Sequence, residues 1–208
     1  MRESGESYDF YREEERKLDQ AVAIIKDVVS ELGPTLVIER ALLPSTPFTD
    51  SDLLVAIGQD GLVANVLRYA GELPILGVNP DPETYEGTLL NFSVQDAVDY
   101  LATNREGHAC EAVTLAEGHF SCGAVIRAAN DIFVGKGDHS SALYKIFHAS
   151  KEEQHSSSGI IISTPMGSTG WQRSVVEGSL RTLQSITGKN LGEIQHKAVP
   201  RDADRLRF

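Results

Sequence analysis

"LLVAIGQDGLVANVL", residues 53–67, changes character in its middle. Leu53 to Ile57 form a short branched apolar run, which suits a strand buried on both faces. Gly58 and Gly61 then flank Gln59 and Asp60, and Leu62, Val63, Val66 and Leu67 recur at helical spacing, predicting a helix over 62–70. "LPILGVN", residues 73–79, reads as the next strand. Strand, tight turn, helix and strand within about 30 residues make a βαβ unit, which implies parallel strands. Sheets of that kind take ligands at the carboxyl ends of their strands. Asp60 stands at one such end. An Asp-Gly pair is also ordinary turn chemistry, so a purely structural role stays open at this point.

Upstream, "LDQAVAIIKDVVSEL" places Leu18, Val22, Ile25, Val28, Val29 and Leu32 on one helical face. The helix is expected from about Arg12 to Leu32, with Gly33-Pro34 as its stop. The charge-dense run before it reads as a solvated helix face. "TLVIER", residues 35–40, is short and branched and predicts a further strand. Downstream, a helix is expected at roughly Val94 to Leu101. From about Ala109 the texture becomes runs of strand-forming residues broken by Gly, Ser and His, which predicts antiparallel β structure. The expected organisation is an α/β domain over 1–102 and a β-rich, mostly antiparallel domain over 103–208, with the boundary in "DYLATNREGH", residues 99–108. A helix at roughly Gln172 to Ser185 follows, and the closing "DADRLRF" reads as the opening of a strand, so the gene is expected to continue past Phe208.

The 208 residues carry a formal net charge of −11 and 41% apolar content, enough for a packed core. That balance argues against a general nucleic-acid binder or an anionic-membrane binder, since both need a basic face. No apolar run reaches about 18 residues, and no signal peptide is visible, so a cytoplasmic location is expected. Cys110 and Cys122 are then expected as free thiols.

Two further stretches carry polar groups where chemistry could use them. Asn130 and Asp131 interrupt apolar runs at a strand break, and two polar side chains there would suit a diol; a bulge or turn is the bland alternative. In "ISTPMGSTGWQRS", Gly167 and Gly170 bracket Ser168 and Thr169, with Trp171 beside them. Small residues admit a flat ring, hydroxyls read its edge, and Trp can cover a face. The same residues could be a helix cap with Thr169 as N-cap and Trp171 as core, and the two readings can coexist. Asn79 and Asp81 are expected to shape a proline-fixed turn. His139 reads as loop surface, and Lys136, Lys145 and Arg173 could meet phosphates but read as surface charge.

"VAIGQDG", "LGVNPDPETYEGTLL", "AANDIFVG" and "SSSGIIISTPMGSTGW", in that order, resemble the motifs of the NAD kinase family over roughly Thr35 to Ser174. The resemblance implies a two-domain fold that holds a dinucleotide, and transfer of the γ-phosphoryl of ATP to the 2′-hydroxyl of the adenosine ribose of NAD. It implies Mg²⁺ carried in with ATP near Asp60, no separate protein metal site, and a homodimer or homotetramer. Asp60 would act as base or orienter, while Gly58 and Gly61 let backbone approach the phosphates. Asn130 and Asp131 would bind ribose hydroxyls. Ser168, Thr169, Gly170 and Trp171 would line the adenine, Met166 and Ser174 belong to the same dinucleotide-binding stretch, and the loop of Asn79 would abut the nucleotide. The chain departs from the family's pattern at Gln59 and Leu62, which replace Gly and Thr, so polyphosphate competes with ATP as the expected donor. Ser158 stands where many members carry Asp. A related lipid or sugar kinase and a non-catalytic NAD-binding protein are the alternative readings.

Overall fold

The computed structural model describes residues 8–103, 110–190 and 196–208. The chain divides into two compact units, residues 1–110 and 111–208. The boundary expected near residues 102 and 103 falls beside residues 104–109, which lie outside the described residues.

The first unit is built around helix α1 (Tyr8–Ser30), strand β1 (Leu54–Ile57), helix α2 (Asp60–Ala70), strand β2 (Ile75–Asn79), the short strand β3 (Phe92–Ser93) and helix α3 (Val94–Ala102). β2 lies between β1 and β3, and both pairings are parallel, with Leu54 beside Ile75 and Val78 beside Phe92. The expected βαβ unit is therefore present. Because side chains alternate across a strand, each face of the sheet builds its own core. Ala56 packs with Val63, Val66 and Ala70 of α2 and with Leu43 and Leu90 on one face. Leu76 and Val78 pack with Ile25 of α1 and Ala97 and Leu101 of α3 on the other. α3 starts with a reciprocal cap, in which Ser93 Oγ accepts from the Asp96 amide while the Asp96 carboxylate accepts from the Ser93 amide.

Three expectations need correction in this unit. α1 begins at Tyr8 and ends at Ser30, where the Ser30 hydroxyl turns back to the Lys26 carbonyl at 2.7 Å, and Leu32 is left exposed past the helix end. No strand forms over 35–40. Leu36 and Val37 are exposed, and a cavity of about 630 Å³, lined by Val22, Leu36, Val37, Val55 and Ile57 among others, lies beside β1. Strand propensity without a ladder partner does not make a strand, and Arg40 instead opens a 3₁₀ turn, Arg40–Ser45. Finally, α2 begins at Asp60 rather than Leu62, so the aspartate belongs to the helix and not to the break before it.

The second unit is antiparallel, as expected. β4 (Ala116–His119) pairs with β5 (Val125–Ala128), β6 (Asp131–Gly135) with β9 (Gly159–Ser163), and β7 (Ala142–His148) with β8 (Lys151–Ser157). Helix α4 (Trp171–Thr187) follows a 3₁₀ turn at Gly167–Thr169. The residues near Phe208 do meet a strand: Arg207 bridges Ser163 in antiparallel fashion, with N–H to O distances of 2.7 and 2.9 Å. Both cysteines are exposed free thiols.

Candidate functional site

In the first unit, the ends of β1 and β2 deliver two polar segments to the same edge of the sheet. Gly58 continues the ladder, its N–H donating to the Val78 carbonyl at 3.2 Å. It then breaks the strand at φ +150°, a conformation open to glycine and closed to most residues. Gln59 stands in the N-cap position of α2 without making a side-chain cap, which leaves the helix amides at that end without the usual side-chain oxygen. Gly61 lies in the first turn, exposed, with open space where a Cβ would stand. Nothing in the packing requires glycine there. An unhindered backbone beside an uncapped helix start is what a phosphate would meet.

Asp60 itself is committed to backbone. Its two carboxylate oxygens accept the amides of Thr88 and Leu89 at 2.9 and 2.8 Å, tying the helix start to the segment that follows β2. That segment is folded around Asn79, which is 3% exposed. Asn79 Oδ1 accepts the Asp81 amide at 3.0 Å and Nδ2 donates to the Tyr85 carbonyl at 2.8 Å. Gly87, at φ +62°, passes so close that a Cβ would meet Asn79 Nδ2 at 2.7 Å. Asn79 and Asp81 therefore shape the turn, as expected. The Asn79 amide is consumed in holding this loop.

The charge-dense start of α1 is not simply a solvated face. Lys17 Nζ pairs with the buried Asp81 carboxylate at 2.8 Å. The ammonium, followed by Thr84, holds the Asp81 carboxyl below its ordinary value, and Asp81 in turn raises Lys17. Glu14 Oε1 accepts both from Gln59 Nε2 and from the Tyr85 hydroxyl, each at 2.8 Å, and the carboxylate pushes the Tyr85 phenol up. These two residues escaped the sequence reading. The signal was positional: stepping back from Ile25 through Ala21 and Leu18, the inward face of α1 reaches Lys17 and Glu14, both half-buried.

In the second unit, the Asn130 and Asp131 pair and the 163–171 segment meet. Asp131 opens β6, and Asn130 precedes it at the break after β5. The Asn130 carbonyl accepts the Thr164 amide at 2.9 Å, and the Ser163 hydroxyl donates to the Asp131 carboxylate. Burial raises the Asp131 carboxyl, with the Ser163 bond opposing it. Gly167 fits against this corner so tightly that a Cβ would overlap the Asn130 carbonyl and lie 2.7 Å from Asp131 Oδ1. Ser168 is fully buried. Its hydroxyl donates to the Pro165 carbonyl at 2.7 Å and accepts the Val199 amide at 3.0 Å, so it serves the loop rather than an open slot.

The cap reading also needs revision. Gly170, not Thr169, is the N-cap of α4, and the Thr169 hydroxyl donates to the Met166 carbonyl at 3.2 Å. Trp171 is not core: it is 48% exposed as the first helical residue, with its ring 5.6 Å from that of Phe133. Met166 is half-buried, and Ser174 is exposed with its amide bonded to the Gly170 carbonyl. Lys145 and Arg173 are spent on the surface pairs with Glu152 and Glu177, and Lys136 donates to Ser140. His139 is exposed. Among the described residues there is no cluster of three or more His, Cys, Asp or Glu able to hold a metal. Among them, too, no helix is long and apolar enough to cross a membrane.

The fold and site thus define an α/β unit with polar loops at the carboxyl ends of parallel strands, the usual ligand position for such sheets, followed by an antiparallel unit with a glycine-tight polar corner. No protein-family model matches the chain. It is 31% identical over 138 residues to a NAD kinase of Halobacterium salinarum, an alignment that covers 62% of this chain and 49% of that protein. It is 24% identical over 179 residues to NAD kinase 2 of Geobacillus kaustophilus, covering 83% of this chain and 62% of that protein. Both similarities support the NAD kinase family, at low identity. The chain spans about half to three-fifths of the length of these relatives.

Proposed function

We propose that this chain carries the NAD-phosphorylating machinery of an NAD kinase, moving the γ-phosphoryl of ATP, or a phosphoryl of polyphosphate, to the 2′-hydroxyl of the adenosine ribose of NAD. The observation that carries the reading is similarity to two proteins each named an NAD kinase. The geometry around Asp60 supports it. Phosphoryl transfer asks a protein for positioning, charge neutralisation and a group that orients the attacking hydroxyl. Two backbone amides hold the Asp60 carboxylate in one orientation, and each of its oxygens keeps a further lone pair for a hydroxyl or a cation. Gly58 and Gly61 leave backbone accessible beside it.

Mg²⁺ in such reactions needs one or two carboxylates plus the phosphates and water, rather than a protein cage. Asp60 fits that demand as a carboxylate held at the sheet edge, so that it would meet a cation carried in by the nucleotide. The ion would neutralise phosphate charge. In the second unit, Asn130 and Asp131 are the groups suited to ribose hydroxyls, and the exposed Trp171 face is the surface suited to a purine ring. A cytoplasmic homodimer or homotetramer belongs to the same proposal.

One observation favours a second reading, a protein that binds NAD without turning it over. Both Asp60 oxygens already accept internal hydrogen bonds, and Leu62 offers no hydroxyl to a donor phosphate. NADP formation from NAD, measured separately with Mg-ATP and with polyphosphate, decides between them. Turnover with either donor supports the kinase. NAD binding without turnover supports the binding protein. Turnover of a lipid or sugar hydroxyl in place of NAD overturns both. Trp171→Ala tests the ring surface: loss of about 1–3 kcal/mol of NAD binding is expected for a base stack, and unchanged affinity in a folded variant removes Trp171 from the site.

A further inference from the structure

We infer that Glu14 is a positioning residue, a carboxylate on α1 that locks Gln59 and Tyr85 together and so fixes the orientation of Asp60 between them. The inference rests on the kinase reading for its catalytic consequence and on geometry alone for its structural one.

Four hydrogen bonds close a loop of contacts in the first unit. Glu14 Oε1 takes the Gln59 Nε2 donor and the Tyr85 hydroxyl, both at 2.8 Å. Tyr85 belongs to the segment whose Thr88 and Leu89 amides hold the Asp60 carboxylate. Gln59 is the residue covalently before Asp60. The aspartate is thus approached from both sides by elements that share one anchor, and the anchor is an oxygen on a helix separated by more than 40 residues of sequence from either partner. A second strut runs parallel to it, Lys17 to Asp81 at 2.8 Å, from the next turn of the same helix to the start of the same segment. Gln59 acquires a purpose here that a glycine at that position could not serve, since it is the only side chain of the turn that reaches Glu14. Charge-assisted bonds from a half-buried carboxylate hold geometry better than neutral ones. Small displacements of a reacting group are costly: about 1 Å can lose on the order of a hundredfold in rate.

The test uses the full chain with Glu14→Ala, Glu14→Gln and Gln59→Gly, read by amide hydrogen exchange and by NADP formation. Glutamine at position 14 retains one oxygen that can accept both donors, so it is the rescue variant. Glu14→Ala is expected to speed exchange of the Thr88 and Leu89 amides at least tenfold while the thermal midpoint of the chain stays within a few degrees. It is also expected to lower kcat about tenfold to a hundredfold with the KM for NAD nearly unchanged. Glu14→Gln is expected to restore most of both, and Gln59→Gly to reproduce part of the loss without adding to Glu14→Ala. Unchanged exchange at Thr88 and Leu89 in a folded Glu14→Ala protein overturns the inference. So does a kcat that falls equally in Glu14→Ala and Glu14→Gln. If the parent protein makes no NADP yet the exchange pattern follows as described, the clamp stands and the kinase reading fails instead.

Discussion

Replacing Asp60 with asparagine bears on both the fold and the chemistry, and the structure changes what to expect of it. From the sequence, an Asp-Gly turn tolerates asparagine, since both favour the same backbone, and Asp60→Asn is expected to spare the fold. In the fold Asp60 is a double acceptor instead, for the amides of Thr88 at 2.9 Å and Leu89 at 2.8 Å. Asparagine keeps one carbonyl oxygen and sets an NH₂ group where the other oxygen was, so one amide must face a donor. Hydrogen bonds to a charged group contribute about 1.5–3 kcal/mol and neutral ones about 1. The Leu89 amide is partly buried and would retain the carbonyl, whereas the exposed Thr88 amide can turn to water. The loss is then one weakened bond and one exchanged for solvent, about 1–2 kcal/mol. Urea unfolding followed by far-UV circular dichroism measures it. The single tryptophan, Trp171, reports the second unit separately by fluorescence. Turnover, measured well below the lowered melting temperature, should still fall at least roughly a hundredfold if Asp60 orients or deprotonates the hydroxyl. Stability within about 0.5 kcal/mol of the parent, the range of an inconsequential surface change, would refute the double-acceptor geometry. Normal turnover would refute the catalytic role.

Gly167→Ala should destabilise the second unit by about 1–3 kcal/mol, because the new Cβ meets the rigid backbone of Asn130 rather than a movable side chain; a Trp171 fluorescence transition at unchanged urea concentration would contradict this. Ala149 is the one non-glycine residue with positive φ among those described, at 51° between β7 and β8, so Ala149→Gly should raise stability by a fraction of the about 1–2 kcal/mol that left-handed backbone costs, read as a higher melting temperature. The Lys17 and Asp81 pair sets a pH window. Asp81 is lowered, so its contribution is present above the ordinary carboxylate value of about 3.9 and is lost as pH falls through its depressed value. Lys17 is raised, so its share is present below about 10.4 and is lost as pH rises through its elevated value. Lys17→Gln should therefore lower stability between those limits and converge with the parent at the acid end, and parallel profiles at every pH would count against the pair.

The parallel half of the fold could be read from sequence because its signals are local. "LLVAI", the glycine break and the period of α2 each depend on neighbours within a few residues, and β1, α2 and β2 follow from them. The antiparallel, strand-rich character of the second unit was legible for the same reason, whereas the pairing of β6 with β9 across the intervening β7 and β8 was not. The segment 35–40 has equal strand propensity and no strand, because a ladder needs a partner as well as a preference, and that partner is not visible in a six-residue window. The site divides along the same line. That Gly58, Asp60 and Gly61 lie at a strand end followed from pattern, whereas the amides that hold Asp60 come from a loop 28 and 29 residues away. Ser168, expected to line a slot, is buried, and Trp171 is half-exposed, against its alternative reading as core, since small polar residues can be consumed by backbone at a tight corner.

Glu14 and Lys17 show why the remaining part was hidden. Hydropathy periodicity detects a helix face only while that face is apolar, and the inward stripe of α1 runs Ile25, Ala21, Leu18 and then turns polar at Lys17 and Glu14 without leaving the packed side. A geometric period continues where the hydropathy period stops. The change coincides with the carboxyl edge of the sheet, where apolar strand residues give way to the Gly58–Gly61 break and the Asn79–Leu90 segment. A helix that crosses that edge has to pack against polar loops, and buried or half-buried polar groups there need partners. Charged residues three apart on such a face, Glu14 and Lys17, meet that need with opposite signs, one accepting from Gln59 and Tyr85 and the other neutralising Asp81. The same requirement that stabilises the loops therefore places a fixed carboxylate, Asp60, at the sheet edge in a defined orientation.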